Sequence, residues 1–182
     1  MALGIIGSVV SAGDNQSATA GSPVAIQPAA RVLDQFGNPV QGELVTFQVT
    51  SGAGSLTGST PTSGSNGIVT LGSWTLGGTV GANTLSATVA GVTPLPFNAT
   101  GLVGPAASMS LNGGNSQTDT VGATLPTPHS VLIVDANGNP VSGTTVTWNV
   151  TGGGGSISRN SPRRPESLKD VLPKFTSKGT FS

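Results

Sequence analysis

The chain has 182 residues, of which 8% are charged and 4% aromatic, and its formal net charge is zero. It has no cysteine, which excludes a disulfide framework and any cysteine-ligated metal. No run is long and apolar enough to span a membrane, and the abundant glycine (28) and proline (13), beside Thr, Val and Ser, suit many short strands joined by tight turns.

The zero net charge hides an asymmetry. Six of the seven basic residues (Arg159, Arg163, Arg164, Lys169, Lys174 and Lys178) follow Ser158. Before that point Arg31 stands alone against Asp14, Asp34, Glu43, Asp119 and Asp135. The body is mildly acidic and the tail basic, which marks a composition boundary.

Met1 to Val10 is mildly apolar but lacks a basic leading region, so it reads as a first strand and not as a signal peptide. Val24 to Leu33 reads as a longer strand ended by the turn Asp34-Gln35-Phe36-Gly37-Asn38-Pro39. In Leu44 to Thr50, Val45, Phe47 and Val49 alternate with polar or exposed positions, the period of a strand with one buried face. Ser55 to Thr57 is a brief edge strand. Ile68 to Leu76 follows with Trp74, and Thr84 to Ala90 alternates again through Leu85, Ala87 and Val89. Val92 to Thr100 closes the series; Pro94 and Pro96 donate no ladder hydrogen bond, so this strand is expected at a sheet edge or bulged.

The chain then repeats itself at an offset of 101 residues without gaps. Asp34 meets Asp135, and Gly37-Asn38-Pro39-Val40 meets Gly138-Asn139-Pro140-Val141. Gln16 meets Gln117, Phe47 meets Trp148 and Leu56 meets Ile157. A period near 100 residues is the size of one sandwich domain. The likeness ends at Ser158: residues 159–182 do not resemble 58–81. These observations predict an all-β, immunoglobulin-like β-sandwich over 1–101, a linker at 102–106 and the first half of a second such domain at 107–158. A basic, unrelated tail at 159–182 completes the chain. Leu168, Val171, Leu172 and Phe175 in the tail fall at helical spacing, with Pro165 placed at a first helical turn and Pro173 as a stop, a short helix. Without a facing sheet, Val131, Ile133, Val146, Trp148 and Val150 would lie bare, so the tail, or strands of another copy in a homo-oligomer, are expected to cover them.

The string Asp-x-x-Gly-Asn-Pro-Val-x-Gly-x-x-Val-Thr-(Phe/Trp)-x-Val, with Trp74-Thr75-Leu76-Gly77 and Asn83-Thr84-Leu85-Ser86-Ala87, resembles bacterial immunoglobulin-like domains of invasin- and intimin-type surface proteins. That resemblance covers nearly all of residues 4–158. It implies a tandem module, structural or adhesive and without catalytic residues, of an extracellular or surface-attached bacterial protein. A surface protein or glycan would then be its partner.

Few side chains suggest chemistry. His129 is the only histidine. As a metal ligand it would act with Asp119 or Asp135, or with copies of itself in an oligomer, binding zinc or manganese. On that alternative the protein is a metal-assisted hydrolase; otherwise His129 is a surface residue and no cofactor is expected. Asp34 and Asp135 could be taken for calcium ligands, but the further carboxylates are missing, and a turn-capping role fits better. Trp74 and Trp148 lie on alternating strands and read as core, although exposed rings would suit a carbohydrate-binding module. The small cluster Arg159, Arg163 and Arg164 lacks interleaved aromatics, so no nucleic-acid partner is expected. Ser63-Gly64-Ser65-Asn66-Gly67 approaches a nucleophile elbow but has a serine in the first glycine's place, which makes it a loop.

Overall fold

A computed structural model describes residues 5–159 and 175–178. The chain divides into two compact units, Met1–Gly104 and Pro105–Ser182. Among the described residues there are thirteen strands and no helix.

Unit 1 holds nine strands: β1 (Ile5–Ala12), β2 (Gln16–Thr19), β3 (Ala29–Asp34), β4 (Thr46–Ser51), β5 (Ser55–Thr57), β6 (Ile68–Thr70), β7 (Ser73–Thr75), β8 (Gly81–Thr88) and β9 (Leu95–Leu102). They form a three-stranded sheet in the order β1-β3-β6, a four-stranded sheet in the order β2-β9-β8-β4 and a small β5-β7 pair. All pairs are antiparallel except β2 with β9, which is parallel.

The alternation in the sequence explains what lies between the sheets. Phe47 from β4, Leu85 and Ala87 from β8, and Phe97 and Ala99 from β9 turn inward against Ala30 and Val32 of β3 and Val69 of β6. Trp74, Leu85 and Phe97 are fully buried. The rings of Phe47 and Phe97 lie 6.1 Å apart with planes tilted by 51°, a geometry that aromatic pairs favour.

Three expectations are corrected in unit 1: Ile68 to Leu76 is two strands, β6 beside β3 and β7 beside β5. Val24 to Leu33 is not one strand; β3 begins only at Ala29, and Pro23 and Pro28 interrupt the stretch before it. The proline-bearing strand is also not at an edge, because β9 lies between β2 and β8. The ladder tolerates Pro96 for a geometric reason. The Asn98 N–H points away from β8 and donates to the Asp14 carboxylate (2.7 Å), and Pro96 shares that side by the two-residue period. β2 pairs only with Ala99–Leu102, so the donor missing at Pro96 faces no strand.

Unit 2 contains β10 (Ser108–Gly113), β11 (Ser130–Val134), β12 (Ser156–Arg159) and β13 (Phe175–Lys178), paired antiparallel as β10-β11 and β12-β13. Thr144 to Val150, the copy of the β4 region, forms no strand. In unit 1 that strand is held by β8, and nothing among the described residues of unit 2 takes the place of β8. Leu168, Val171 and Leu172, assigned by spacing to a tail helix, lie outside the described residues. Phe175 instead starts β13, which runs beside β12.

Candidate functional site

The repeated motif folds the same way twice. In unit 1 the Asp34 carboxylate accepts the backbone N–H of Phe36 (2.8 Å) and of Asn38 (2.8 Å), and the Asn38 side-chain amide (3.1 Å). In unit 2 Asp135 accepts the N–H of Asn137 (2.9 Å) and of Asn139 (2.8 Å), and the Asn139 amide at 3.0 Å. Gly37 and Gly138 adopt φ of 82° and 85°, a left-handed conformation that glycine reaches without strain. The motif is therefore a carboxylate-capped turn in both copies.

Desolvation raises the Asp34 pKa, but hydrogen bonds from the Asn38 backbone and side chain and from the Phe36 and Gly37 backbone outweigh it. The net effect holds the carboxyl below its ordinary range.

Three further braces are not evident from the sequence pattern. The Gln16 amide donates to the carbonyls of Gly13 (2.7 Å) and Ile26 (2.7 Å) and accepts the N–H of Ile26 (2.8 Å). Gln117 repeats this on Gly114, Thr127 and Thr127 at 2.7, 2.7 and 2.8 Å. The pairing of Gln16 with Gln117 in the repeat was the available signal, because a polar residue kept through a degenerate repeat marks a constraint. Ser63 is buried; its hydroxyl donates to the Val40 carbonyl (2.7 Å) and accepts the Glu43 N–H (3.0 Å). Asn83 is buried and accepts the Gly77 N–H (2.9 Å) while donating to the Gly81 carbonyl (3.2 Å). Gln16, Gln117, Ser63 and Asn83 thus each have partners for their side-chain polar groups.

Among the described residues, the side chains singled out for chemistry lie apart from one another, save for one pair of rings. His129 is half-buried and its ring stacks on Trp148, with centroids 6.1 Å apart and planes 29° apart. Asp119 is exposed and accepts the N–H of its neighbour Thr120 at 2.7 Å. Among the described residues no three His, Cys, Asp or Glu side chains group as a metal site would need. Trp74 is fully buried and belongs to the core, whereas Trp148 is only half-buried.

A concavity among the described residues lies in unit 2. It is an open groove of about 360 Å³ lined by Met109, Ile133, Val146 and neighbouring threonines. The equivalents of Ile133 and Val146 in unit 1, Val32 and Val45, are fully buried.

No family model and no curated protein matches the chain. Solved structures do. FdeC, an Escherichia coli adhesin, matches with a TM-score of 0.52 at 19% identity, covering 95% of this chain and 55% of its own. Invasin, a bacterial integrin-binding protein, matches with a TM-score of 0.50 at 20% identity, covering 94% of this chain and 34% of its own. The chain thus spans about half of the first structure and a third of the second. At these identities the likeness concerns the fold, and it agrees with the sheet order and core: the chain carries the immunoglobulin-like β-sandwich fold.

Proposed function

We propose that the chain is a non-catalytic structural and adhesive module of a bacterial surface or secreted protein, one link of a tandem stalk that engages a surface protein or glycan. The observation that carries this reading is the use of its buried polar groups. Asp34, Ser63, Asn83, Asp135 and Asn139 are the buried polar side chains among the described residues, and each hydrogen-bonds to turn or loop backbone or to a capping partner. An enzyme site holds polar groups in readiness for a substrate, while these hold the fold. The likeness to FdeC and invasin supports the same reading at the level of fold.

Self-association through unit 2 is a second element of the proposal, supported by the open groove. A clean monomer by light scattering at micromolar concentration would remove that element alone. The main reading is tested against a metal-assisted hydrolase centred on His129 and Asp119. Protein prepared without chelator is expected to hold no stoichiometric zinc or manganese and to hydrolyse none of an ester and peptide panel. Bound metal and activity that both vanish in His129→Ala would overturn it.

A further inference from the structure

Three tripeptides of the chain place Asn two residues before Ser or Thr with no proline between: Asn15-Gln16-Ser17, Asn98-Ala99-Thr100 and Asn149-Val150-Thr151. That spacing is what an asparagine-glycosylating transferase reads, the hydroxyl fixing the segment while the amide nitrogen takes the sugar. The backbone around the tripeptide decides whether it can be reached. A transferase must draw the segment into its own cleft and turn it, and a strand resists both. Side chains two apart on a strand are held about 6.5 Å from each other, and each paired backbone group must first be released.

The two tripeptides of unit 1 are locked. Asn98 and Thr100 lie in β9, opposite Thr84 and Ala82 of β8, and Thr100 is also opposite Ser17 of β2. The Asn98 N–H donates to the Asp14 carboxylate at 2.7 Å, and its side-chain amide donates to the same oxygen at 3.4 Å. The Asn15 amide also donates to Asp14 (2.9 Å). Gln16 is pinned by its three bonds to Gly13 and Ile26, and Ser17 is already in β2.

The third tripeptide differs. Asn149, Val150 and Thr151 are all exposed, Val150 at 45%, and they lie outside every strand. Their copies in unit 1 show what a strand does to the same positions. Gln48 lies opposite Ser86 in the β4–β8 ladder, and the Thr50 hydroxyl is held by that of Thr84 at 2.7 Å. Asparagine thus replaces Gln48 where the backbone is in no strand, and the threonine two residues on is kept. Gly152 to Gly155 follow at once, and Gly153 and Gly154 have φ of 78° and 66°, so the chain turns just past the tripeptide without a side-chain penalty.

We infer that Asn149 is an acceptor for an N-linked sugar, and that the fold withholds Asn15 and Asn98 from the same modification. The sugar donor is a sugar diphosphate, and the partner is a transferase that supplies the base. The Asn149 side-chain nitrogen bonds to the anomeric carbon of the sugar. The bond from that carbon to the phosphate oxygen breaks, the diphosphate leaves with the electron pair, and the base takes one amide proton. Nothing is oxidised or reduced. The sugar stands beside Val150 and screens its exposed apolar surface with hydroxyls. The inference goes beyond the structural and adhesive reading and does not depend on it.

The test incubates the full chain with a soluble asparagine glycosyltransferase and a nucleoside diphosphate hexose. Synthetic peptides of residues 11–19, 94–102 and 145–153, each holding one tripeptide, are treated in parallel, and the products are mapped by mass spectrometry. One hexose is expected on Asn149 of the chain, lost in Thr151→Ala and kept in Thr151→Ser. The three peptides are expected to react at similar rates. In the chain, Asn15 and Asn98 are expected to react at least about tenfold more slowly than Asn149, because β2 and β9 must open first. Asn149 left bare in the chain while its peptide is modified overturns the proposal. So does modification of the three sites of the chain in the ratio the peptides show, and so does a 145–153 peptide that takes no sugar. None of these failures disturbs the non-catalytic reading, which falls only with metal-dependent activity at His129.

Discussion

Unit 1 and unit 2 begin with nearly the same instructions and end in different states. Their turns match to a few degrees: Gly13 and Gly114 have φ of 77° and 82°, and Asn15 and Ser116 both have 54°. Their braces match to a tenth of an ångström at Gln16 and Gln117. Yet Thr46–Ser51 is a strand and its copy is not. The difference teaches that turns are local and strands are not. A capped turn is satisfied within a few residues by its own carboxylate, whereas a strand's backbone groups need a neighbour that another part of the chain must bring.

The comparison can be broken most severely from unit 1. Trp74→Ala removes the largest fully buried side chain of unit 1. Its indole N–H has no acceptor, so the loss is one of packing, about 3–5 kcal/mol in urea unfolding. Hydrogen exchange at Thr46–Ser51 should then approach that of 147–152. An unchanged unfolding midpoint would show that the core is not what holds β4.

Gln16→Ala is the next smaller change. Three hydrogen bonds at 2.7–2.8 Å are lost, and the expected cost is about 1–3 kcal/mol, since two backbone carbonyls and one amide lose their partner. Gln117→Ala should loosen its own loop without moving the unfolding midpoint of unit 1. Equal effects on unit 1 from both changes would contradict the independence of the two braces.

The smallest effect is in acid. The Asp34 carboxyl is held below its ordinary range, so the native state favours its charged form. The stability it contributes is present above the unfolded-state carboxylate pKa and is lost as pH falls through the lower native value. Asp34→Asn should therefore flatten the acid limb of the stability profile of unit 1 while leaving the β3 register intact. An acid limb identical to that of the unmodified chain would show that the carboxylate does not carry it.

Much of this fold is legible in the sequence where the signal is local. The Asp34 turn, the alternation through Val45 and Phe47 and the brief strand Ser55–Thr57 follow from residue type and spacing, and so does the burial of Trp74. The misplaced strand β9 shows the limit. Proline argues for an edge, but which side of a strand its missing donor faces depends on the partner's length, and no window of sequence contains that. Ser63 and Asn83 were hidden for a similar reason. Their partners at Val40, Glu43 and Gly77 are specified by the way distant turns meet, not by neighbouring residues. At the candidate site, the sequence singles out His129 and Trp148 separately, yet the stacking of one on the other depends on two segments crossing in space.

The parallel pairing of β2 with β9 has a mechanical consequence. Gln16 lies opposite Ala99 and Thr19 opposite Leu102, and the Ala20 N–H extends the pairing to the Leu102 carbonyl at 2.8 Å. One strand lies near the start of the unit and the other at its end. Tension applied along the chain therefore draws the two strands past each other lengthwise. In that geometry the hydrogen bonds share the load at the same moment and must rupture together, whereas an antiparallel pair joined at one end would unzip bond by bond. A unit wired in this way resists stretching between its two ends.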